Sequence, residues 1–270
     1  MLRNYILIAY RNLARNKVSM IINLSGLGIA VGCCIVAYLN WNFAATFDRM
    51  HIRGKEIYRV QATHVTSDVN ERYAVVPTAL GEVVRENLSD VQSVVRYTAS
   101  KGDFRIQDEV FNSAIAFADK PFFDFFSFNM IDGNAAAFKG KSSIFISASL
   151  AKKYFDEVSV SGRQITQLFD GKTKEYIIGG VFEDQSLNSS FGFEAIIPWE
   201  NYAETTGMTD IDQSWTDMTT LFLLIESESD VTRTSIQLAL FVPTARCPRR
   251  FQIDQLLPST IQYTGCKFPW

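Results

Sequence analysis

The most prominent pattern in the sequence is a long uncharged stretch near its start. No charged residue occurs between Lys17 and Asp48, and this run contains the segment VSMIINLSGLGIAVGCCIVAYL. About 20 consecutive apolar residues are enough for a helix to cross the hydrocarbon core of a bilayer. The pattern therefore predicts a transmembrane helix and its exit within residues 18–47.

Two other interpretations of this stretch compete with an uncleaved anchor. A cleaved signal peptide has a shorter apolar core, of about 7–15 residues, and a small-x-small cleavage site, for which Ala44 and Ala45 are only a faint cue. A lipoprotein signal would need small residues before a cysteine, and residues 30–33 (AVGC) match roughly but lie late in the run. The length of the run favours the anchor over both.

The segment before the apolar run predicts an amphipathic helix over residues 1–17. On a helical wheel the apolar residues gather on one side and the basic ones on the other, a pattern typical of a helix lying on an anionic membrane surface. The cationic face comprises Arg3, Arg11, Arg15 and Lys17. The same bases could instead form an ordinary flank that only fixes orientation. Basic residues without an acid favour a cytoplasmic N-terminus, so we expect a single pass with residues 48–270 outside the cytoplasm.

Small and polar residues inside the run indicate that the membrane helix packs against another helix. Gly28 and Gly32 form a small-xxx-small pair, which allows a second helix to approach closely. Polar side chains are costly in a helix surrounded only by lipid. The uncharged polar residues considered are Asn23, Ser25, Asn40 and Asn42, which lie in or just after the core of the run. We therefore expect a dimer or another helix-packed assembly.

After residue 47 the pattern changes to short alternating segments, which predict strands, separated by turn residues and a few helical stretches. Strands are predicted at 56–65, 71–76, 91–98, 104–107, 109–117, 143–147, 165–169, 175–182, 193–198 and 219–225. Helices are predicted from Thr78 to about residue 88, from Ser147 or Ser149 to residue 155, and at about 230–241. The predicted fold class is α+β. The segment 122–128 (FFDFFSF) is interpreted as part of the core, the alternative being an exposed hydrophobic site.

Charge and motif content exclude several function classes. The net charge is −3, but residues 1–17 carry +4 and residues 18–270 carry −7, so the body has no electrostatic reason to bind nucleic acid. No H-E-x-x-H, C-x-x-C or G-x-S-x-G motif occurs, and residues 135–142 (AAAFKGKS) lack the first glycine of a P-loop. We therefore predict neither enzymatic activity nor a cofactor or metal. Cys247 and Cys266 could form a disulfide in an oxidising compartment.

Several motifs resemble the periplasmic core domain of MacB-like and FtsX-like ABC transporter permeases. The segments that show the resemblance are NYILIAYRNLARN (4–16) with NLSGLGIA (23–30), FDRMH (47–51) with IYRV (57–60), FFDFFSFNMIDG (122–133), SIFISASLAKKYF (143–155) with GRQI (162–165), and YIIGGVFED (176–184). The resemblance extends to about Phe241. It implies a location in the cell inner membrane, with residues 48–270 periplasmic, and a cytoplasmic ABC ATPase as partner. It also implies that the periplasmic domain relays ATPase-driven motion to an extracytoplasmic substrate path.

The resemblance also implies two subdomains, one from about 52–98 plus 218–265 and one inserted at about 99–217. A working permease of this kind needs further membrane helices, so the chain is interpreted as the N-terminal part of a permease, truncated or shifted in reading frame. The segment 156–161 (DEVSVS) and the tail after residue 241 depart from the family pattern. A single-pass, membrane-anchored binding or sensor module is the alternative function.

Overall fold

The computed structural model describes residues 5, 11, 15, 17–65, 70–106, 109–241 and 249–255. Contacts divide the chain into two units, residues 1–47 and 48–270. The first unit contains the helix α1 (Lys17–Ala45), whose 29 residues are all at most partly buried. At 1.5 Å per residue this helix is about 43 Å long, more than a bilayer core requires. Within the described ranges it is the one helix long and apolar enough to cross a membrane.

The second unit is a mixed structure of strands and short helices. The strands within its described part are β1 (Ile57–Val65), β2 (Asn70–Tyr73), β3 (Val76–Pro77), β4 (Ser93–Ile106), β5 (Glu109–Ala118), β6 (Met130–Gly133), β7 (Ser143–Ser147), β8 (Gln164–Phe169), β9 (Lys172–Phe182), β10 (Ala195–Pro198), β11 (Met218–Leu224) and β12 (Arg249–Gln255). The α-helices are α2 (Leu80–Asn87), α3 (Phe122–Phe125), α4 (Ala148–Phe155), α5 (Tyr202–Thr206) and α6 (Glu228–Phe241). Short 3-10 turns occur at Ala135–Lys139, Trp199–Asn201 and Ile211–Gln213.

The strands pair in the order β12-β1-β11-β4-β5-β10-β7-β9-β6, with β2 on β1, β3 on β11, and β8 on both β4 and β9. The pairs β5–β10 and β7–β9 are parallel, and the other pairs are antiparallel. Because β8 joins β9 to β4, six strands form a closed circuit: β4, β5, β10, β7, β9 and β8. The long strand β4 belongs to this circuit through its second half and to the open β1–β11 sheet through its first half.

Three apolar clusters fill this arrangement. The first comes from alternate residues of the six-strand circuit together with α4 and includes Phe104, Phe117, Ile146, Tyr176 and Ile197. The second is aromatic and contains the Phe-rich segment, with Phe122, Phe125 and Phe126 at most 1% exposed. The third lies between the β1–β11–β4 sheet and the helices α2 and α6. Alternation along β4 sends Val94 to the third cluster and Val95 to the second, as the period of a strand requires.

The structure confirms the predicted α+β class and the core interpretation of the Phe-rich segment. Of the two proposed caps for the helix at residue 148, Ser147 is the one used: its hydroxyl accepts a hydrogen bond from the Leu150 N–H at 3.2 Å. The prediction that Thr78 begins a helix is wrong, because its hydroxyl donates to the Asp217 carbonyl and α2 starts at Leu80. The division into two subdomains remains a prediction.

Candidate functional site: a charged cleft and a helix-exit clasp

The residues predicted to pack or bind at the membrane lie on α1 and just before it. A Cβ added to Gly28 or Gly32 would meet nothing within 4 Å among the residues that the structure describes. Arg11, Arg15 and Lys17 are helical and exposed. Arg3, Cys247 and Cys266 lie outside the described residues, so the cationic face is described in part only and the disulfide remains a prediction.

A clasp joins the segment that follows the membrane helix, the exit loop (residues 48–56), to a second loop at residues 183–190. The Asp48 N–H donates to the Asn188 carbonyl at 2.9 Å, and Asp48 Oδ1 accepts from the Ser190 N–H at 2.7 Å. The Ser190 hydroxyl also hydrogen-bonds Asp48 Oδ2. Asp48 is buried, with a positive φ of 54°, and charge-assisted hydrogen bonds of this type are stronger than neutral ones. The aspartate of the FDRMH motif therefore holds two separate loops together.

The histidine of the same motif anchors the exit loop in the aromatic core. His51 is 3% exposed, and its ring packs against Phe126, Phe128 and Phe191 at centroid distances of 5.1, 5.9 and 5.8 Å. Its Nδ1 accepts the Ser127 N–H at 3.2 Å, whereas Nε2 has no hydrogen-bond partner in the described part of the chain. Burial lowers the pKa of His51, and this effect outweighs the attraction of Asp48. The imidazole is therefore held neutral.

A buried arginine organises a cluster of charges beside α2. Arg96, on β4, makes a two-pronged contact with Asp119: Nε to Oδ2 and Nη2 to Oδ1, each 2.9 Å. The Arg96 main-chain N–H also donates to Asp119 Oδ2 at 2.9 Å. Arg96 Nη1 lies 2.5 Å from Asp212 Oδ1, and Arg85 Nη2 reaches Asp119 Oδ2 at 3.0 Å. Burial by itself would lower the pKa of Arg96, but these carboxylates outweigh burial and raise it.

This cluster forms the floor of an open cleft of about 600 Å³. One wall is Trp199, whose ring centroid lies 4.7 Å from the Arg96 Cζ and whose Nε1 donates to Asp212 Oδ1 at 2.9 Å. The remaining lining is apolar around Pro121, Pro198 and Ile211, with charged groups on the rim. The cleft is thus aromatic and apolar at its side, and the charges at its base nearly balance. This lining suits the binding of a small polar molecule or a protein segment better than it suits proton transfer.

The chemical possibilities of the described region are narrow. Within it, no group of three or more His, Cys, Asp or Glu side chains could hold a metal ion. Arg96 already has its donors directed at carboxylates, so it is not free to bind an anion.

The sequence pattern does not single out Arg96, Asp119 or Trp199 as site residues. One signal was available: Arg96 interrupts the apolar strand segment VVRYT (94–98) at a position where the alternation predicts burial. A buried arginine requires carboxylate partners. Those partners could not be named because Asp119 and Asp212 are 23 and 116 residues away in sequence.

Comparison with known proteins confirms the family resemblance. Residues 20–239 match the profile of the MacB-like periplasmic core domain. No curated protein sequence matches the chain significantly.

Three crystal structures share the fold. A domain attributed to a permease protein from Porphyromonas gingivalis matches with a TM-score of 0.59 and 18% identity, covering 76% of this chain and 91% of that one. The periplasmic region of MacB from Actinobacillus actinomycetemcomitans matches at 0.53 and 14%, covering 75% and 90%. The extracellular domain of the ABC-type transporter YknZ from Gram-positive bacteria matches at 0.50 and 16%, covering 72% and 98%. At these identities the structures establish the fold, and together with the profile match over most of its length they show that the chain belongs to the MacB-like periplasmic core domain family.

Proposed function

We propose that the chain is the anchored, extracytoplasmic part of an ABC-type exporter permease and that its core domain relays ATPase-driven motion to a substrate path outside the membrane. The observation that carries this proposal is the order of two elements along the chain: an exposed apolar helix of 29 residues is followed directly by a MacB-type fold. In this proposal α1 crosses the inner membrane with Lys17 on the cytoplasmic side. A cytoplasmic ABC ATPase would be the partner of the assembled permease.

The exit clasp could transmit a movement of the membrane helix to the core domain. Only two residues separate the end of α1 at Ala45 from Asp48. A displacement of the helix exit would act first on Asp48 and His51, which are tied to residues 183–190 and to the aromatic core. Because packed cores transmit strain rather than absorb it, such a displacement would move the domain instead of only the loop.

Association with an ATPase tests the proposal. The protein, affinity-purified in mild detergent from membranes of its own host, should retain an ABC-type ATPase through the assembled permease. Purification of an unrelated single-pass protein from the same membranes serves as the control. Recovery of the protein without any ABC ATPase, under conditions that preserve other membrane complexes, would contradict the permease function.

Orientation is tested separately by cysteine labelling. In a background with Cys33, Cys34, Cys247 and Cys266 replaced, a cysteine at exposed Lys101 should react with a membrane-impermeant maleimide in intact spheroplasts. A cysteine at Lys17 should react only after permeabilisation. The reverse result would place the domain in the cytoplasm and exclude the proposed topology.

The cleft favours one alternative, a single-pass anchored binding or sensor module. A volume of about 600 Å³ beside Trp199 is within the size range of small-molecule sites. That function requires no ATPase. It predicts instead that a ligand raises the thermal stability of the protein and that this shift disappears in Trp199→Ala.

A further inference from the structure

Two aliphatic side chains of the second unit are almost completely exposed. Leu187 is 94% exposed and Ile52 is 90% exposed, more than any other large hydrophobic side chain that the structure describes. Single exposed hydrophobic residues are common on protein surfaces. These two differ because both occupy equivalent positions in tight turns that belong to the two clasped loops.

Each side chain projects from the second position of a hydrogen-bonded four-residue turn. In the exit loop the Gly54 N–H donates to the His51 carbonyl at 3.0 Å, which places Ile52 second. In the other loop the Ser189 N–H donates to the Ser186 carbonyl at 3.1 Å, which places Leu187 second. Turn positions of this kind usually carry Pro, Asp, Asn, Ser or Gly. A large aliphatic residue there gains almost no burial from the residues that the structure describes, so any burial it gains comes from a surface outside them.

The two turns are held in fixed positions. The Ile52 N–H donates to the Ser127 hydroxyl at 3.0 Å, which ties its turn to the Phe-rich segment. Asp48 ties the exit loop to Asn188 and Ser190, directly after Leu187. The polar groups of the second turn satisfy one another, since the Ser186 hydroxyl donates to Asn188 Oδ1 at 2.5 Å. Both tips are therefore presented by preformed turns.

Chain connectivity limits the distance between the Ile52 tip and the end of α1. Ile52 follows the last residue of α1 by seven positions, a span of at most about 25 Å even if fully extended. The membrane surface from which α1 emerges is thus within reach of the exit loop. Exposed Arg49 lies between them, where a guanidinium can contact lipid phosphates. Turns whose backbone groups are already paired can enter the headgroup region, which remains partly hydrated.

We propose that Ile52 and Leu187 form a second membrane contact, inserting into the boundary between headgroups and acyl chains of the leaflet from which α1 emerges. The occupant of this surface is lipid, in the same leaflet on the periplasmic side. The inference rests on the membrane placement of α1 proposed above. With α1 as one attachment and the two tips as others, the domain would be held at a defined tilt, and the clasp would connect the three attachments.

The test uses the full chain, reconstituted in vesicles of phosphatidylethanolamine and phosphatidylglycerol. Single cysteines replace Ile52, Leu187 or Val110 in a background carrying Cys33→Ala, Cys34→Ala, Cys247→Ser and Cys266→Ser, and each is labelled with an environment-sensitive fluorophore. Val110 is the matched control because it is aliphatic and 55% exposed. It pairs with Arg105 near the end of β4, whereas the exit loop contacts Gln92, just before the start of β4. The 14 residues of β4 separate these ends by about 43 Å.

Quenching distinguishes the outcomes. We expect nitroxide-labelled lipids to quench the labels at 52 and 187 at least threefold more than the label at 110, and aqueous iodide to quench them less. Labels at 52 and 187 that respond as the control does overturn the proposal. Protection from both quenchers indicates a protein partner and also overturns it. Flotation of the chain with the vesicles tests the placement of α1 independently, so failure of the tip contact and failure of the anchor are distinguishable.

Discussion

At the scale of single residues, the most consequential contact is the pairing of Arg96 with Asp119. Both side chains are about nine-tenths buried or more, and two parallel hydrogen bonds join them. A buried ion pair contributes little net stability, because desolvation offsets the attraction, but removing one partner leaves the other charge buried and uncompensated.

Replacing Arg96 alone should therefore be strongly destabilising. We expect Arg96→Met to lower the free energy of unfolding by roughly 3–5 kcal/mol, measured by urea denaturation in detergent. The double variant Arg96→Met/Asp119→Leu should recover most of this loss, because it removes the buried Asp119 carboxylate together with its main partner, and the remaining partners Arg85 and Asp212 are partly exposed. A double variant as unstable as the single one would show that Arg96 acts through packing against Trp199 rather than through its charge.

His51 should make stability depend on pH. Its folded-state pKa lies below 6.5, the ordinary pKa of histidine, because the side chain is buried. As pH falls below about 6.5, the unfolded chain binds a proton at this position that the folded chain excludes, so stability decreases with acidification.

The measurement compares urea midpoints at pH 7.5 and pH 5.5. The parent carries His64→Gln, which removes the other histidine of the chain, and the test variant adds His51→Gln. We expect a smaller difference between the two pH values in the test variant, since Gln can accept the Ser127 N–H without titrating. An unchanged pH dependence would assign the effect to carboxylates instead.

At the scale of elements, the paired glycines of β9 show how one strand accommodates the aromatic core. A Cβ added to Gly180 would lie 2.6 Å from Phe145 Cε1, and one added to Gly179 would lie 2.7 Å from Cε2 of the same ring. Phe145 is fully buried and packs against Phe123 and Phe138, so its ring has little room to move.

We expect Gly180→Ala to destabilise the domain by about 1–3 kcal/mol, the usual cost of overpacking a filled core. Gly192→Ala is the matched control, because a Cβ there meets nothing within 4 Å. The two variants should differ clearly in their thermal unfolding midpoints. Equal midpoints would mean that β9 or the Phe145 ring shifts without cost.

Elements dominated by local pattern could be predicted from the sequence, whereas those defined by distant partners could not. The sequence predicts the β8–β9 hairpin with its turn at Asp170 and Gly171. The structure has the turn there, and both residues adopt the positive φ angles that these residue types tolerate. Strand β4 was predicted as two strands, because its middle, residues 99–103, is polar. It is continuous because β5 pairs with residues 97–106, across the polar middle, and β8 pairs with residues 103–105.

The same reason explains what was missed at the site. FDRMH was recognised as a motif, but only the fold shows that Asp48 reaches Ser190 and that His51 lies among phenylalanines. The charged cleft depends on partners more than 100 residues apart, such as Arg96 and Asp212. Sequence pattern predicts which residues are buried and says little about which distant residues they meet.

At the scale of the whole molecule, the second unit contains every core cluster that the structure describes, whereas α1 is exposed along its length. An isolated exposed apolar helix needs lipid or other helices to cover it. The small-xxx-small pair Gly28 and Gly32 lies on one face, four residues apart, and a Cβ at either position meets nothing within 4 Å in the described part of the chain. We therefore propose helix packing through this face, in a dimer or in the assembled permease.

Replacing both glycines by leucine should weaken that packing, because the larger side chains prevent the backbones from approaching closely. We expect Gly28→Leu/Gly32→Leu to reduce association of the full chain in vesicles, measured by energy transfer between labelled copies or with labelled permease helices, by at least tenfold. Gly26→Leu is the matched control, because residue 26 lies about 160° around the helix from residue 28 at 3.6 residues per turn. Equal loss in the control would indicate a general effect of side-chain volume, and no loss in the double variant would move the packing face to the polar positions Asn40 and Asn42.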